Sequence, residues 1–255
     1  MDLGIEGKVA LVMGASKGIG RASAEALAHE GVRVAIASRS RERIESTARE
    51  LSRESSQEVR GFVADAGDPD LLPGLVQEAE TALGPIEILV INTGGPPMGE
   101  ALGFDREAWL AAYRSLVLAP LALIEAVVPN MRERRWGRIV NITSSATREP
   151  IEGLMLSNSH RLAAIGALKT LAKELGPDGI LVNSVAPGTI ATDRIAELRG
   201  IELSELAGME MPNVPLGRLG QPREMGDVVA FLCSERASYV TGQNLLVDGG
   251  LVGSV

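Results

Sequence analysis

Seven short runs rich in Val, Ile and Leu, separated by longer stretches with helical periodicity, recur along the 255-residue chain and leave few architectures open. They are KVALVM (8–13), VRVAIA (32–37), VRGFVA (59–64), IEILVIN (86–92), GRIVNIT (137–143), ILVNSV (180–185) and NLLVD (244–248). Several are apolar almost throughout, which is how a strand reads when helices cover both of its faces. Strands alternating with helices form a parallel sheet with helices on both sides. No repeat, composition shift or Pro/Gly/Ser-rich linker divides the chain, and with 45% hydrophobic residues it can bury a sizeable core. The expectation is an α/β fold, one domain over residues 1–255.

Charge excludes some partners. The formal net charge is −8 and no basic stripe follows any predicted helix, so nucleic acid and anionic membranes are poor candidates. The densest basic patch, MRERRWGR, carries Arg132, Arg134, Arg135 and Arg138 and reads as a solvated helix end. The longest apolar stretch, LVLAPLALIEAVVP (116–129), is broken by Pro120 and Glu125, too short and interrupted for a bilayer. It reads instead as a helix of the core or of a subunit interface. Cys233 is the single cysteine and its apolar setting fits a buried thiol in a reducing compartment. His29 and His160 have no ligand-like neighbours, so no metal site is expected. The N-terminal MDLGIEGKVALVMG has no charged n-region, h-region and cleavage site, and a cytoplasmic protein is expected.

Directly after the first run comes MGASKGIGRA, in which Gly14, Gly18 and Gly20 lead into a helix. Such a loop lets backbone approach a pyrophosphate, and the helix N-terminus adds N–H groups and positive dipole. The second run ends ASRSRER, with Ser38 and Arg39 at the turn and no carboxylate before Glu42. Arg39, together with Lys17 of the glycine loop, suits a phosphate; the alternative is two solvated surface cations. Residues 188–221 lack a clean period and follow a strand end, where either a substrate lid or a surface helix pair could sit.

With these residues in view, the chain resembles the short-chain dehydrogenase/reductase family, and within it the 3-oxoacyl-carrier-protein-reductase-like members. The resemblance rests on GASKGIG (14–20), Asp65, NTGG (92–95) in place of Asn-Asn-Ala-Gly, NITSS (141–145), VAPGTIAT (185–192) and SYVTGQNLLVDGG (238–250). It implies a single-domain Rossmann fold, a doubly wound, seven-stranded parallel sheet, and NADP(H) as cofactor. It further implies a cofactor site drawn from Gly14, Ser16, Lys17, Gly18, Ile19, Gly20, Ser38 and Arg39. Asp65 would contact the adenine, Asn92 and Gly94 would line the cleft, and Pro187, Gly188, Thr189 and Thr192 would lie beside the nicotinamide. A small-molecule substrate and a homo-oligomer, tetramer or dimer, are implied as well.

The same resemblance exposes a departure. Members act through Asn, Ser, Tyr and Lys, the last two spaced Tyr-x-x-x-Lys. Here the serine matches Ser144, while Ser157 stands for the tyrosine, Arg161 for the lysine, and the asparagine falls near Leu116. The only tyrosines, Tyr113 and Tyr239, are followed four residues on by Val117 and Gln243, so no register restores the pair. Arg161 can keep the positive charge and hold the nicotinamide ribose, but Ser157 is a far weaker acid than a phenol of pKa about 10. His160 and Tyr113 are conceivable proton sources, though a polar residue at a helix start and a packing ring are the plainer readings; water held by Ser144 and Ser157 is another. Two functions stay open: an oxidoreductase with an altered proton path, catalytic residues Ser144, Ser157 and Arg161, or a non-catalytic NADP(H)-binding sensor or structural homologue.

Overall fold

The computed structural model describes residues 2–206 and 208–254. All seven expected strands form: β1 (Val9–Met13), β2 (Arg33–Ser38), β3 (Val59–Val63), β4 (Ile88–Ile91), β5 (Gly137–Ile142), β6 (Ile180–Pro187) and β7 (Asn244–Val247). They make one sheet in the order β3-β2-β1-β4-β5-β6-β7, with every neighbouring pair parallel.

The side-chain alternation of β1 explains why its run is apolar throughout. Ala10 and Val12 enter one core, while Val9, Leu11 and Met13 enter the other. The first core takes Leu27 from α1 (Gly18–His29), Ile44 and Leu51 from α2 (Arg41–Ser55), and Val229 from α8 (Pro222–Leu232). The second takes Leu75 from α3 (Leu72–Leu83), Leu123 and Val127 from α5 (Ala119–Arg134), and Leu168 from α6 (Met155–Leu175). The sheet is thus doubly wound. The order in which strands are added reverses between β1 and β4, opening a crevice at the strands' C-terminal ends, where ligands of such sheets bind.

Two expectations need correction. Pro120 does not interrupt the apolar stretch: α4 (Arg106–Tyr113), a π-helical turn (Arg114–Leu118) and α5 run on as one 29-residue helix. Pro120 directly follows the π turn, where the backbone ladder is already rewound, so its missing N–H and its ring are accommodated without ending the helix. By its length and the mean hydropathy of 1.6 over its most apolar 18 residues this helix could cross a membrane, but half of that stretch is buried and it packs Leu123, Val127 and Met131 into the second core. Arg138 does not belong to a solvated helix end. It lies buried in β5, over the Trp136 ring at 4.3 Å and 3.5 Å from Glu235, and burial lowers its pKa. Within residues 188–206 and 208–221 lie α7 (Asp193–Arg199), a 3-10 turn (Leu203–Leu206) and a small core of Ala196, Leu206, Met211, Val214 and Leu219. A bridge between Ile190 and Gly220 closes the base of this excursion.

Candidate functional site

The expected cofactor residues gather along the C-terminal edge of the sheet, and local sterics show why glycines stand there. Gly14 and Gly18 both have φ of +60°, which a side chain resists. A Cβ on Gly14 would strike the Asn92 carbonyl, and one on Gly20 the Gly14 carbonyl, so bare backbone lets the ends of β1 and β4 meet the start of α1. Asn92 Nδ2 donates to the Gly14 carbonyl at 3.3 Å. Gly18 faces Thr192 across a narrow slot: a Cβ there would lie 3.3 Å from its methyl group. Ser16 and Ile19 complete the loop through backbone contacts, their carbonyls accepting from Thr47 and Ser23. The N-terminus of α1 has neither a side-chain cap nor an acidic residue in its first turn, so its N–H groups and dipole face the slot uncompensated.

At the end of β2, the Ser38 hydroxyl is the one buried side-chain polar atom without a hydrogen-bond partner among the described residues. Such a group costs free energy until something bonds it. Arg39 beside it is exposed. Lys17 behaves differently from expectation: its ammonium crosses the slot to α7, 3.5 Å from Asp193 and 3.3 Å from Glu197. Asp65 follows β3, exposed, accepting from the Gly67 N–H at 2.8 Å. Pro187 ends β6, and Gly188 and Thr189 continue into the bridge at Gly220, to which the Thr189 carbonyl contributes at 3.0 Å. These features fit a dinucleotide phosphate in the slot and a polar group at Ser38.

The reacting end is built from β5 and α6. Ser144 leaves β5 and caps a short 3-10 turn, its hydroxyl oxygen accepting from the Ala146 N–H at 3.2 Å. The hydroxyl proton stays available. Thr147 donates to the Ser144 carbonyl at 2.6 Å and accepts from Asn244 at 2.9 Å, which fixes this turn against β7. Ser157 is buried on α6, one turn before Arg161. The Arg161 guanidinium donates to the Ser157 hydroxyl at 3.1 Å, to the Ile142 carbonyl at 2.9 Å and to the Gly94 carbonyl at 2.5 Å. It thereby laces α6 to the ends of β4 and β5. Burial, and secondarily the charge of Arg194, lower its pKa to about 10, so it remains a cation at neutral pH.

Leu116, near which the resemblance would place an asparagine, is buried within the π turn. His160, near the start of α6, is buried and packed against the rings of Trp109 at 5.3 Å and Tyr113 at 6.3 Å. Its Nδ1 lies 2.7 Å from the Leu156 carbonyl, an acceptor, so Nδ1 carries the proton. Tyr113 is thus paired with His160 on the α4 side. Sequence reasoning missed Arg194, which donates from α7 to the Pro96 carbonyl at 2.8 Å. Its only sequence signal is its place two residues beyond Thr192.

A family model described as enoyl-(acyl carrier protein) reductase matches residues 14–252. The 3-oxoacyl-[acyl-carrier-protein] reductase FabG of Aquifex aeolicus is 36% identical over 251 residues, covering 98% of this chain and 100% of the relative. Human dehydrogenase/reductase SDR family member 4 is 36% identical, over 95% of this chain and 87% of its own. Among solved structures, L-sorbose reductase from Gluconobacter frateurii, complexed with NADPH and L-sorbose, is similar with a TM-score of 0.92 and 32% identity, over 100% of both chains. YwfH, an NADPH-dependent reductase involved in bacilysin biosynthesis, is similar with a TM-score of 0.89 and 30% identity, over 97% of this chain and 99% of that one. A model match across nearly the whole length, full-length relatives at this identity and the glycine slot of a doubly wound sheet agree: the chain belongs to the short-chain dehydrogenase/reductase family.

Proposed function

We propose that this protein is an NADP(H)-dependent oxidoreductase acting on a small carbonyl or hydroxyl substrate of the 3-oxoacyl type, by a proton path unlike that of a tyrosine enzyme. The observation that carries the reading is Arg161, a half-buried cation held by three bonds in the place proposed for the lysine, together with Ser144, whose hydroxyl proton is free. The partnerless Ser38 hydroxyl and the open Arg39 would hold a ribose 2′-phosphate, and the slot of Gly14, Ser16, Gly18, Ile19 and Gly20 the pyrophosphate. Asp65, Asn92, Gly94, Pro187, Gly188, Thr189 and Thr192 would line the remaining cleft, with residues 188–221 as its lid. The NADPH in the L-sorbose reductase complex and the NADPH dependence of YwfH support this choice of cofactor.

When bound, the nicotinamide supplies the hydride. Ser144 directs its proton toward the substrate oxygen and so orients the carbonyl. Arg161 favours negative charge developing on that oxygen, through a cation already fixed in place and needing little reorganisation. Ser157 is a poor acid, and its oxygen already accepts from Arg161. A water held between Ser144 and Ser157 therefore delivers the proton, at a rate penalty of about 10²–10⁴ relative to a positioned general acid. Assembly into a homodimer or homotetramer belongs to the same reading, supported by the exposed Leu110, Leu162 and Leu245; so does a cytoplasmic location.

The test is a calorimetric titration with NADPH and NADH, then NADPH oxidation on a carbonyl panel by the wild-type protein and Ser144→Ala. Tighter NADPH binding and turnover abolished by Ser144→Ala are the expected results. NADPH binding without turnover, restored by Ser157→Tyr with Arg161→Lys, would instead favour a non-catalytic NADP(H)-binding protein.

A further inference from the structure

We infer that the substrate carries its own carboxylate close to the reacting carbonyl, a small oxo-acid clamped by Arg194; this rests on the oxidoreductase reading above. Two guanidinium groups hang from one short loop. Arg161 donates to the Gly94 carbonyl at 2.5 Å and Arg194 to the Pro96 carbonyl at 2.8 Å. Between them Gly95 is exposed, and a Cβ there would lie 3.8 Å from Nη2 and 3.9 Å from Nε of Arg194. A Cβ on Gly94 would meet nothing within 4 Å, so the floor beside both cations is open.

Neither guanidinium has a carboxylate partner among the described residues; every acceptor named for them is a carbonyl or a hydroxyl. The nearest acid in sequence, Asp193, is engaged with Lys17, as is Glu197 one turn further along α7. This is unexpected in a chain with 33 acidic and 25 basic side chains. Two like charges this close disfavour each other, and Arg194 is one cause of the lowered Arg161 pKa. An anion between them relieves that repulsion and receives charge-assisted bonds. Arg194 has donated one of its five N–H groups, leaving a planar fork for a carboxylate. In the reading above the phosphates of NADP(H) are assigned to the glycine loop and the β2 turn, not to Arg194.

Ser157 supplies the room. A phenol ring in its place would reach toward the substrate oxygen, whereas a serine already bonded to Arg161 leaves that volume to the substrate. A site with two guanidinium groups and no phenol beside them suits an anionic ketone better than a neutral one.

The experiment uses the full chain. NADPH is titrated first; the NADPH complex is then titrated with 2-oxo and 3-oxo carboxylic acids and their methyl esters, and NADPH oxidation is followed on the same panel. Acids should bind at least about tenfold more tightly than their esters. Arg194→Gln should abolish that preference with NADPH affinity unchanged, and Arg194→Lys should recover part of it. Equal binding of acid and ester, an acid preference surviving Arg194→Gln, or no saturable binding of any acid would overturn the inference and leave the oxidoreductase reading standing. Absence of NADPH binding would overturn both.

Discussion

Arg161 Nε donates to the Ser157 hydroxyl at 3.1 Å across one turn of α6, so the residues in the tyrosine and lysine positions act as one unit. Removing the hydroxyl with Ser157→Ala strips a desolvated cation of one acceptor. The expected cost is about 1–3 kcal/mol of stability, read from urea unfolding. Arg161→Met removes the charge facing the substrate oxygen and should lower kcat by about 10²–10³-fold, while Arg161→Lys keeps more of it. Equal kcat for wild type and Arg161→Met would exclude the proposed electrostatic role.

Cofactor choice should follow the end of β2 more than the glycine loop. Arg39→Ala should weaken NADPH binding by about tenfold or more and leave NADH unchanged, because only NADPH brings a 2′-phosphate. Lys17→Ala should do less, since Lys17 is already shared between Asp193 and Glu197. Parallel calorimetric titrations of the two variants decide the order; a larger loss in Lys17→Ala would mean that the ammonium leaves α7 for the phosphate.

The base of the 188–221 excursion is acid-sensitive. Arg218 binds Glu224 through both nitrogens at 2.9 and 2.7 Å, and the Gln221 N–H adds a bond at 2.7 Å, together holding the carboxyl at about 2 against an ordinary 4.5. The folded pKa lies below the unfolded one, so the stabilisation is complete above about 4.5 and fades as pH falls toward 2. Solvent exposure limits it to about 1 kcal/mol or less. Glu224→Gln should flatten that part of the stability-versus-pH curve; an unchanged slope would show that the pair contributes nothing.

Cys233 should be inert in the folded protein. Burial pushes its thiol up to about 12, so thiolate is scarce even in mildly alkaline solution. Mass spectrometry should find no iodoacetamide adduct under native conditions and a full adduct in denaturant. Rapid native labelling would mean that α8 opens locally far more readily than its packing implies.

Much of this was legible in the chain itself. Strand runs announce themselves because a sheet covered on both faces needs apolar side chains at successive positions, and β1 sends Val9 and Ala10 to opposite cores. The glycine loop is legible for a steric reason: only Gly at 14 and 20 lets β1, β4 and α1 come together. That the chain has no Tyr-x-x-x-Lys pair is a matter of counting, since neither tyrosine has a lysine four residues on.

Tertiary structure decided how long polar side chains are spent. An arginine reaches several ångströms, and its partners are backbone carbonyls distant in sequence, which no local periodicity encodes. Thus Arg161 finds Ile142 and Gly94, Arg194 finds Pro96, Lys17 turns to Asp193, and Arg138 is buried in β5 although its sequence neighbours look like a solvated helix end. Pro120 likewise sits in an unbroken helix because a π turn precedes it and the core beneath holds both halves. Sequence by itself determined the sheet, the glycine loop and the absence of any Tyr-x-x-x-Lys pair; packing decided which charges meet there, because the long-range approach of strands and helices sets those distances.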